Sequence, residues 1–323
     1  MRAFSACRLL PSVGAKIQHG ARACIARPAI TGLRHYQGLA AASSAAGKIV
    51  GVPRGAGNKV KPTFDPEAWT VFSAYNSEPF ADLVSLVEVK EGLRVIDLGC
   101  GVGDLTFKLA AALPSSTVIG IDTSERMIEA AKSNENPRGI HFEVGDMAEV
   151  QGEYDLIFSK SSLQFSGDQI EMTKKLYKCL RPGGQIVVQV PSMNNPFFQI
   201  LETASRIPPY ADVLEDNVDF FPPLTPQGYS QALLEEGAMM VVAFEKSYPI
   251  RMDNADHVLR WLQSGAMVPY TQALARAQNT FQVDMAEDFT GMVRSALRSA
   301  MPGSPVEFRF NRVMFSAFRP PSA

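Results

Sequence analysis

From residue 93 onward the apolar positions fall into short runs separated by stretches of helical spacing. Residues 93–98 form an apolar, partly β-branched run, and 104–113 place Leu105, Leu109 and Leu113 about one turn apart, predicting a helix. A second strand is expected over 117–121. A helix follows over 124–132, opened by Thr123, Ser124 and Glu125, side chains that suit a helix start. Two further strands fall at 140–144 and 154–158. The helix predicted over 168–180 stops at Arg181-Pro182-Gly183-Gly184, and 185–190 form a fifth strand. Strands alternating with helices at this spacing imply a parallel sheet with right-handed crossovers.

Beyond Pro191 the rhythm changes. Pro196, Pro208, Pro209, Pro222, Pro223 and Pro226 break 193–226 into loops and short helices. A helix is expected over 227–236, and strand-like runs over 240–248 and 306–318. The mostly helical stretch 253–300 between those two runs is the natural place for a substrate cap.

Composition fits an α/β protein with a sizeable core: 323 residues, 46% hydrophobic and 20% charged. No apolar run approaches the roughly 18–20 residues a membrane helix needs, so no membrane span is expected. The net charge of −2 conceals a division. Of the 31 basic residues ten precede Asp65, the first acid in the chain, so 21 face all 33 acids over the remainder. An Arg-rich, Ser-rich, acid-free opening is the signature of a mitochondrial or plastid transit peptide, and Arg34-His35-Tyr36, which resembles a matrix-processing site, favours the mitochondrial one. The alternative is a basic tail for nucleic acid or anionic lipid, but the dense Lys/Arg clusters such tails favour are missing. The acidic remainder also argues against a nucleic-acid partner. Cys7 and Cys24 lie in this opening; Cys100 and Cys179 lie beyond it, with no disulfide or metal spacing. The organisation expected is therefore a disordered transit peptide over 1–45 and a linker over 46–64. A ligand-binding core over 65–192 follows, then 193–323 with the remaining strands and the cap.

The candidate chemistry starts at "RVIDLGCGVGD", residues 94–104. A dinucleotide fingerprint wants G-x-G-x-x-G, yet the third glycine position is Asp104, and Asp97 precedes the turn. Glycines at a strand–helix turn allow close approach of a ligand to the helix amides. An acid just ahead of the turn would repel a pyrophosphate and suits an amino acid's ammonium group. Asp122 closes the second strand, where a carboxylate can accept ribose hydroxyls. Asp146 follows the third strand.

The segments "VIDLGCGVGD", "IGIDTSERMI", "FEVGDM", "YDLIFSKSSLQF" and "LRPGGQIVVQV" resemble, in order and spacing, the class I S-adenosylmethionine-dependent methyltransferases. The resemblance implies a Rossmann-like, mostly parallel seven-stranded sheet with a helical cap inserted before the last strand, and S-adenosyl-L-methionine as cofactor. It assigns Asp97, Gly99 and Gly101 to the methionine portion, Asp122 to the ribose, and Met127, Asp146 and Met147 to the adenine. The segment 159–165, from Ser159 to Phe165, would border the transferred methyl, with Ser159 among the cofactor contacts.

A narrower resemblance is to the trans-aconitate methyltransferase group of small-acid O-methyltransferases, carried by "FDPEAWTVFSAYNSEPFADLV", "VLRWLQSGAMVPYTQAL" and "FRFNRVMFSAFR". That group usually has Trp where this chain has Phe165, and often arginine where it has Glu78. A carboxylate acceptor would need no general base, in keeping with a chain whose histidines beyond the opening are His141 and His257 alone. An anionic acceptor wants cations: Arg206, Arg251, Arg260 and Arg312 are available, with Trp261 and Tyr270 as walls. Phe165, Arg260, Trp261 and Arg312 rank first for the substrate because the resemblance falls on them. No metal-ligand set is apparent, so no metal is expected. The expected reaction is methylation of a small organic acid of the trans-aconitate kind. Methylation of another small molecule, a quinone precursor or secondary metabolite, is the alternative within the fold. A non-catalytic mitochondrial assembly factor is the alternative outside enzymes.

Overall fold

The computed structural model describes residues 62–322, apart from 137, 219–222 and 278–283. The expected transit peptide and nearly all of the linker lie outside the described residues. An N-terminal arm comes first, with helices α1 (Pro66–Val71) and α2 (Ser77–Val84) joined by a tight turn, Ser73–Asn76. The α/β core follows: β1 (Arg94–Leu98), α3 (Asp104–Ala112), β2 (Thr117–Asp122), α4 (Glu125–Ser133), β3 (His141–Val144), β4 (Tyr154–Lys160), α5 (Gln169–Lys178) and β5 (Leu180–Pro191). Then come α6 (Pro196–Ser205), α7 (Tyr210–Asn217), α8 (Pro226–Glu235) and β6 (Met239–Met252). Helices α9 (Ala255–Gln263), α10 (Val268–Arg276) and α11 (Met285–Ala300) lead into β7 (Val306–Phe318).

Seven strands form one sheet in the order β3-β2-β1-β4-β5-β7-β6. Strands β1 to β5 run parallel, whereas β7 is antiparallel to both neighbours. Covered on both faces, the central strands read as continuous apolar runs, such as Ile186, Val187 and Val188, all fully buried. One face packs against α5 and α8 around Leu176, Tyr229 and Phe315; the other packs around Leu83, Leu109 and Ile128. Among the described residues no helix is long and apolar enough to cross a membrane.

Two boundaries differ from the sequence expectation. Helix α5 ends at Lys178, and β5 already begins at Leu180. Arg181-Pro182-Gly183-Gly184 is therefore an irregularity within the strand: Tyr154 pairs with Leu180 but Leu156 with Gln185. The cap is also wider than 253–300. Helices α9 and α11 pack together, α11 packs on α6, and α10 packs on α7, so segments on both sides of β6 build one lid.

Strand order reverses between β1 and β4, and the carboxyl ends of those two strands flank the crevice where such sheets bind ligands. The glycine turn leaves β1 there, and Lys160 closes β4 there.

Candidate active site

The turn after β1 is pinned from below. The amides of Gly99 and Cys100 both donate to the Ile121 carbonyl, at 2.8 and 2.9 Å. Gly99 sits at φ +71°, and a Cβ there would lie 2.2 Å from the Ser162 Cβ, so no side chain fits. Gly101, at φ +56°, has the opposite surroundings: a Cβ there would meet no protein atom within 4 Å. The turn is thus closed towards the sheet and open towards the crevice, a cradle for a ligand that approaches the backbone closely.

Three acids surround it. Asp97 is 4% exposed and accepts from Thr106 Oγ1 at 2.6 Å, tying β1 to the first turn of α3. Burial, reinforced by the neighbouring carboxylates Asp122 and Asp104, pushes Asp97 up to about 7. Asp122 accepts from the Gly101 amide at 3.0 Å and the Ser124 amide at 2.9 Å, and burial raises its pKa as well. Asp146 caps the short turn Met147–Glu149 through the Ala148 amide at 2.8 Å.

The crevice has two lobes sharing Gly99, Asp122 and Phe165. One is lined by Thr123, Gly145, Asp146 and Met147. The other, enclosing about 130 Å³, reaches past Gly101 and Met127 into the lid, where Trp261 and Arg312 line it. Phe64 of the arm meets Phe165, with ring centroids 5.4 Å apart, at the junction.

The sequence-predicted residues divide accordingly. Gly99, Gly101, Asp122, Met127, Asp146, Met147, Phe165, Trp261 and Arg312 all line one lobe or both. Asp97 lies beneath the turn. Ser159 is a correction: it is fully buried, its hydroxyl donating to the Leu98 carbonyl at 3.1 Å and paired with Ser162 Oγ at 2.7 Å. It braces the turn, and the wall residue is Ser162. Arg260 is a second correction. Neighbouring residues of a helix lie about 100° apart, so with Trp261 turned inward Arg260 is exposed. Arg206 and Arg251 are surface residues paired with Glu202 and Glu307, and Tyr270 stacks on Phe289 within the lid. His141 pairs with Glu143 at the surface, and His257 pairs with Asp253 outside the cavity.

Sequence reasoning gave no individual role to Lys160, although it lies in the segment 159–165, and missed Asn76. Lys160 is 8% exposed and Arg312 3% exposed, and both line the lid lobe. Lys160 Nζ donates to Asn76 Oδ1 at 2.8 Å; Arg312 donates to the same oxygen at 3.3 Å, to Gln189 Oε1 at 3.0 Å and to Ser161 Oγ at 3.3 Å. Among the described residues these acceptors are all neutral. Burial, with Arg312 alongside, holds Lys160 well below the usual lysine range against the opposing pull of the Asp104 and Asp97 carboxylates, and burial lowers Arg312 to about 9. Arg312 also lies 4.5 Å from the Phe310 ring centroid, as the two-residue strand repeat allows. The signal available was a lysine closing an otherwise apolar strand at the switch point of the sheet.

Known proteins resemble this arrangement. The Methyltransferase domain family matches residues 89–228. Trans-aconitate 2-methyltransferase of Deinococcus radiodurans is 33% identical over 268 residues, covering 80% of this chain and 99% of the relative. The chain belongs to the class I S-adenosylmethionine-dependent methyltransferases. A trans-aconitate 2-methyltransferase of Mycobacterium tuberculosis is 29% identical over 218 residues, covering 66% of this chain and 81% of that one. Among solved structures, Haemonchus contortus phosphoethanolamine N-methyltransferase 2 in complex with S-adenosyl-L-methionine is 15% identical. Its TM-score is 0.49, with 79% of this chain and 56% of that one covered. The seven-stranded, mostly parallel sheet in the order given above is the expected class I fold, and the named sequence relatives make this methyltransferase an enzyme of the S-adenosylmethionine-dependent kind.

Proposed function

We propose that this methyltransferase methylates the carboxylate of a small organic acid and yields a methyl ester. The observation that carries the reading is the buried Lys160–Arg312 pair, two adjacent basic side chains whose hydrogen-bond acceptors among the described residues are all neutral, on the wall of the lobe that also opens onto Gly101. Buried charges are costly unless paired, so a site holding two of one sign suits an anion. The names of the relatives, trans-aconitate 2-methyltransferases, point to the same class of acceptor.

The residues present fit the cofactor. The closed side of the turn at Gly99 and its open side at Gly101 form the cradle. Asp122 would take the ribose hydroxyls and Met127, Asp146 and Met147 the adenine, while Asp97, beneath the turn, would favour the ammonium through its charge without lining the lobe. When bound, S-adenosylmethionine supplies an electrophilic methyl, whose C–S bond breaks as the acceptor oxygen bonds to carbon, leaving the electron pair on sulfur.

The chain's own contribution is placement and exclusion of water. Lys160 and Arg312 hold the acid by charge-assisted hydrogen bonds, and Asn76 keeps the two donors together. The arm residues Phe64, Trp69 and Phe72 and the lid residues Phe197 and Trp261 close the lobe against solvent. Fixing acceptor and donor in line can contribute up to about 7–11 kcal/mol. An ionised carboxylate releases no proton on methylation, and among the described residues no histidine lines the lobe. The test is labelled methyl transfer to carboxylates, phenols and amines. A base-labile labelled product supports the reading, and transfer confined to phenols or amines refutes it.

A mitochondrial location, resting on the acid-free opening of the sequence, completes the reading. Residues 1–45 fused to a fluorescent protein should direct it to mitochondria; a diffuse cytosolic signal would refute the location.

A further inference from the structure

Beyond the two cations and the neutral polar side chains near them, Asn76, Ser161, Ser162 and Gln164, the lobe is walled largely by rings. Trp69 and Phe72 of the arm, Phe197 and Phe198 of α6, Trp261 of α9 and Phe310 of β7 all line it. Four of them pack as one cluster: Trp261 stands edge-on to Phe310 at 5.0 Å and to Phe197 at 5.5 Å, while Phe197 stacks on Phe310 at 5.5 Å and meets Phe198 at 4.9 Å. Among the described residues Lys160 and Arg312 are the cations on its wall. The internal stretches outside the described residues, 219–222 and 278–283, contain no lysine or arginine. Among the described residues the positive charge of this wall is therefore gathered at one place, around Asn76.

We infer that the acceptor is a monocarboxylate with a planar apolar tail, its carboxylate held by Lys160 and Arg312 and its tail laid among the rings of Phe197, Trp261 and Phe310. This rests on the carboxylate reading above and narrows it. One carboxylate has two oxygens, which matches two adjacent donors. A second or third carboxylate would meet only neutral hydroxyl and amide groups, such as Ser162, Gln164 and Ser264, or aromatic faces, whose quadrupole is negative, with no further cation among the described lining residues. An apolar tail gains by leaving water at the same place. Transfer to such an acid forms one C–O bond and breaks the C–S bond of S-adenosylmethionine, whose electron pair stays on sulfur. No proton is released because the acceptor is already ionised.

The experiment is calorimetric titration of the full-length protein, saturated with S-adenosylhomocysteine, with three probes of similar size. Cinnamate is the apolar monocarboxylate, trans-aconitate the tricarboxylate and cinnamamide the uncharged analogue of the first. The expected result is that cinnamate binds at least tenfold more tightly than either of the others. Trp261→Ala should weaken cinnamate about tenfold while leaving S-adenosylhomocysteine affinity within twofold, which also reports that the variant is folded. Tighter binding of trans-aconitate overturns the apolar-tail inference and leaves the carboxylate reading standing. Equal binding of cinnamate and cinnamamide overturns both. No binding of any probe to a protein that does bind S-adenosylhomocysteine overturns the inference.

Discussion

Lys160 and Arg312 reach one oxygen, Asn76 Oδ1, from strands β4 and β7, at 2.8 and 3.3 Å. A neutral amide from the N-terminal arm thus holds together two buried cations that would otherwise repel, and both donors face the lobe beside the glycine turn. The arm is in turn fastened to β6, where Asp82 accepts from Lys246 Nζ at 2.5 Å and Tyr248 Oη at 2.6 Å.

Removing either cation should weaken the acid and spare the cofactor. A hydrogen bond to a charged group is worth about 1.5–3 kcal/mol, so Lys160→Met and Arg312→Met should each raise the KM for a carboxylate substrate roughly tenfold to a hundredfold. Calorimetry with S-adenosylhomocysteine should show affinity within about twofold of wild type. Arg260→Ala, exposed on α9, should change neither quantity.

Asp97 should make stability depend on pH in a defined direction. Its folded pKa, about 7, lies above the ordinary 3.8, so between those values the folded protein binds more protons than the unfolded chain. Its contribution to stability therefore declines as pH rises from about 4 to about 7 and is level outside that window. Melting temperatures of the ligand-free protein across this range, wild type minus Asp97→Asn, should fall with increasing pH. A flat difference would show that the carboxylate is not buried as described. Asp97→Asn should also weaken S-adenosylhomocysteine at pH 8, where wild type presents a carboxylate to the ligand's ammonium.

The two glycines should respond differently to alanine. At Gly99 the Cβ would collide with Ser162, and at Gly101 it would enter open space, with both residues at positive φ. Gly101→Ala should cost roughly 1–2 kcal/mol of backbone strain and keep a cooperative melt, yet lose S-adenosylhomocysteine binding because the methyl occupies the cradle. Gly99→Ala should lose both. Thermal melts and calorimetry on the two variants separate these outcomes.

The arm should matter to substrate more than to cofactor. Asp82→Ala leaves the buried Tyr248 hydroxyl without its carboxylate, a loss of about 1–3 kcal/mol. The melting temperature should drop, and the KM for the acid should rise through Asn76. S-adenosylhomocysteine affinity should stay close to wild type.

The core was legible from sequence because its information is local. Each strand, turn and helix start from Arg94 to Val190 is written in a few adjacent residues. Ser124, for example, caps α4 by accepting from the Met127 amide, as the Thr-Ser-Glu sequence suggests. Arg181-Pro182-Gly183-Gly184 misled because glycine and proline mark a strand irregularity as readily as a helix stop. The lid lobe was far less legible, since Asn76 and Arg312 meet across 236 residues of sequence. Arg260 looked as suitable as Arg312 in the sequence. Only the orientation of α9, fixed by packing Trp261 against Phe310 and Phe197, separates them. Lys160 escaped notice because strand patterning treats a terminal lysine as the start of a loop.

The most direct measurement of the central claim is the chemical stability of the product made from methyl-labelled S-adenosylmethionine and a carboxylic acid. A labelled product that releases methanol in mild base, and that Arg312→Met forms only with a KM for the acid roughly tenfold or more above wild type, is the outcome predicted. A base-stable labelled product, or an ester formed equally well by Arg312→Met, would contradict the account.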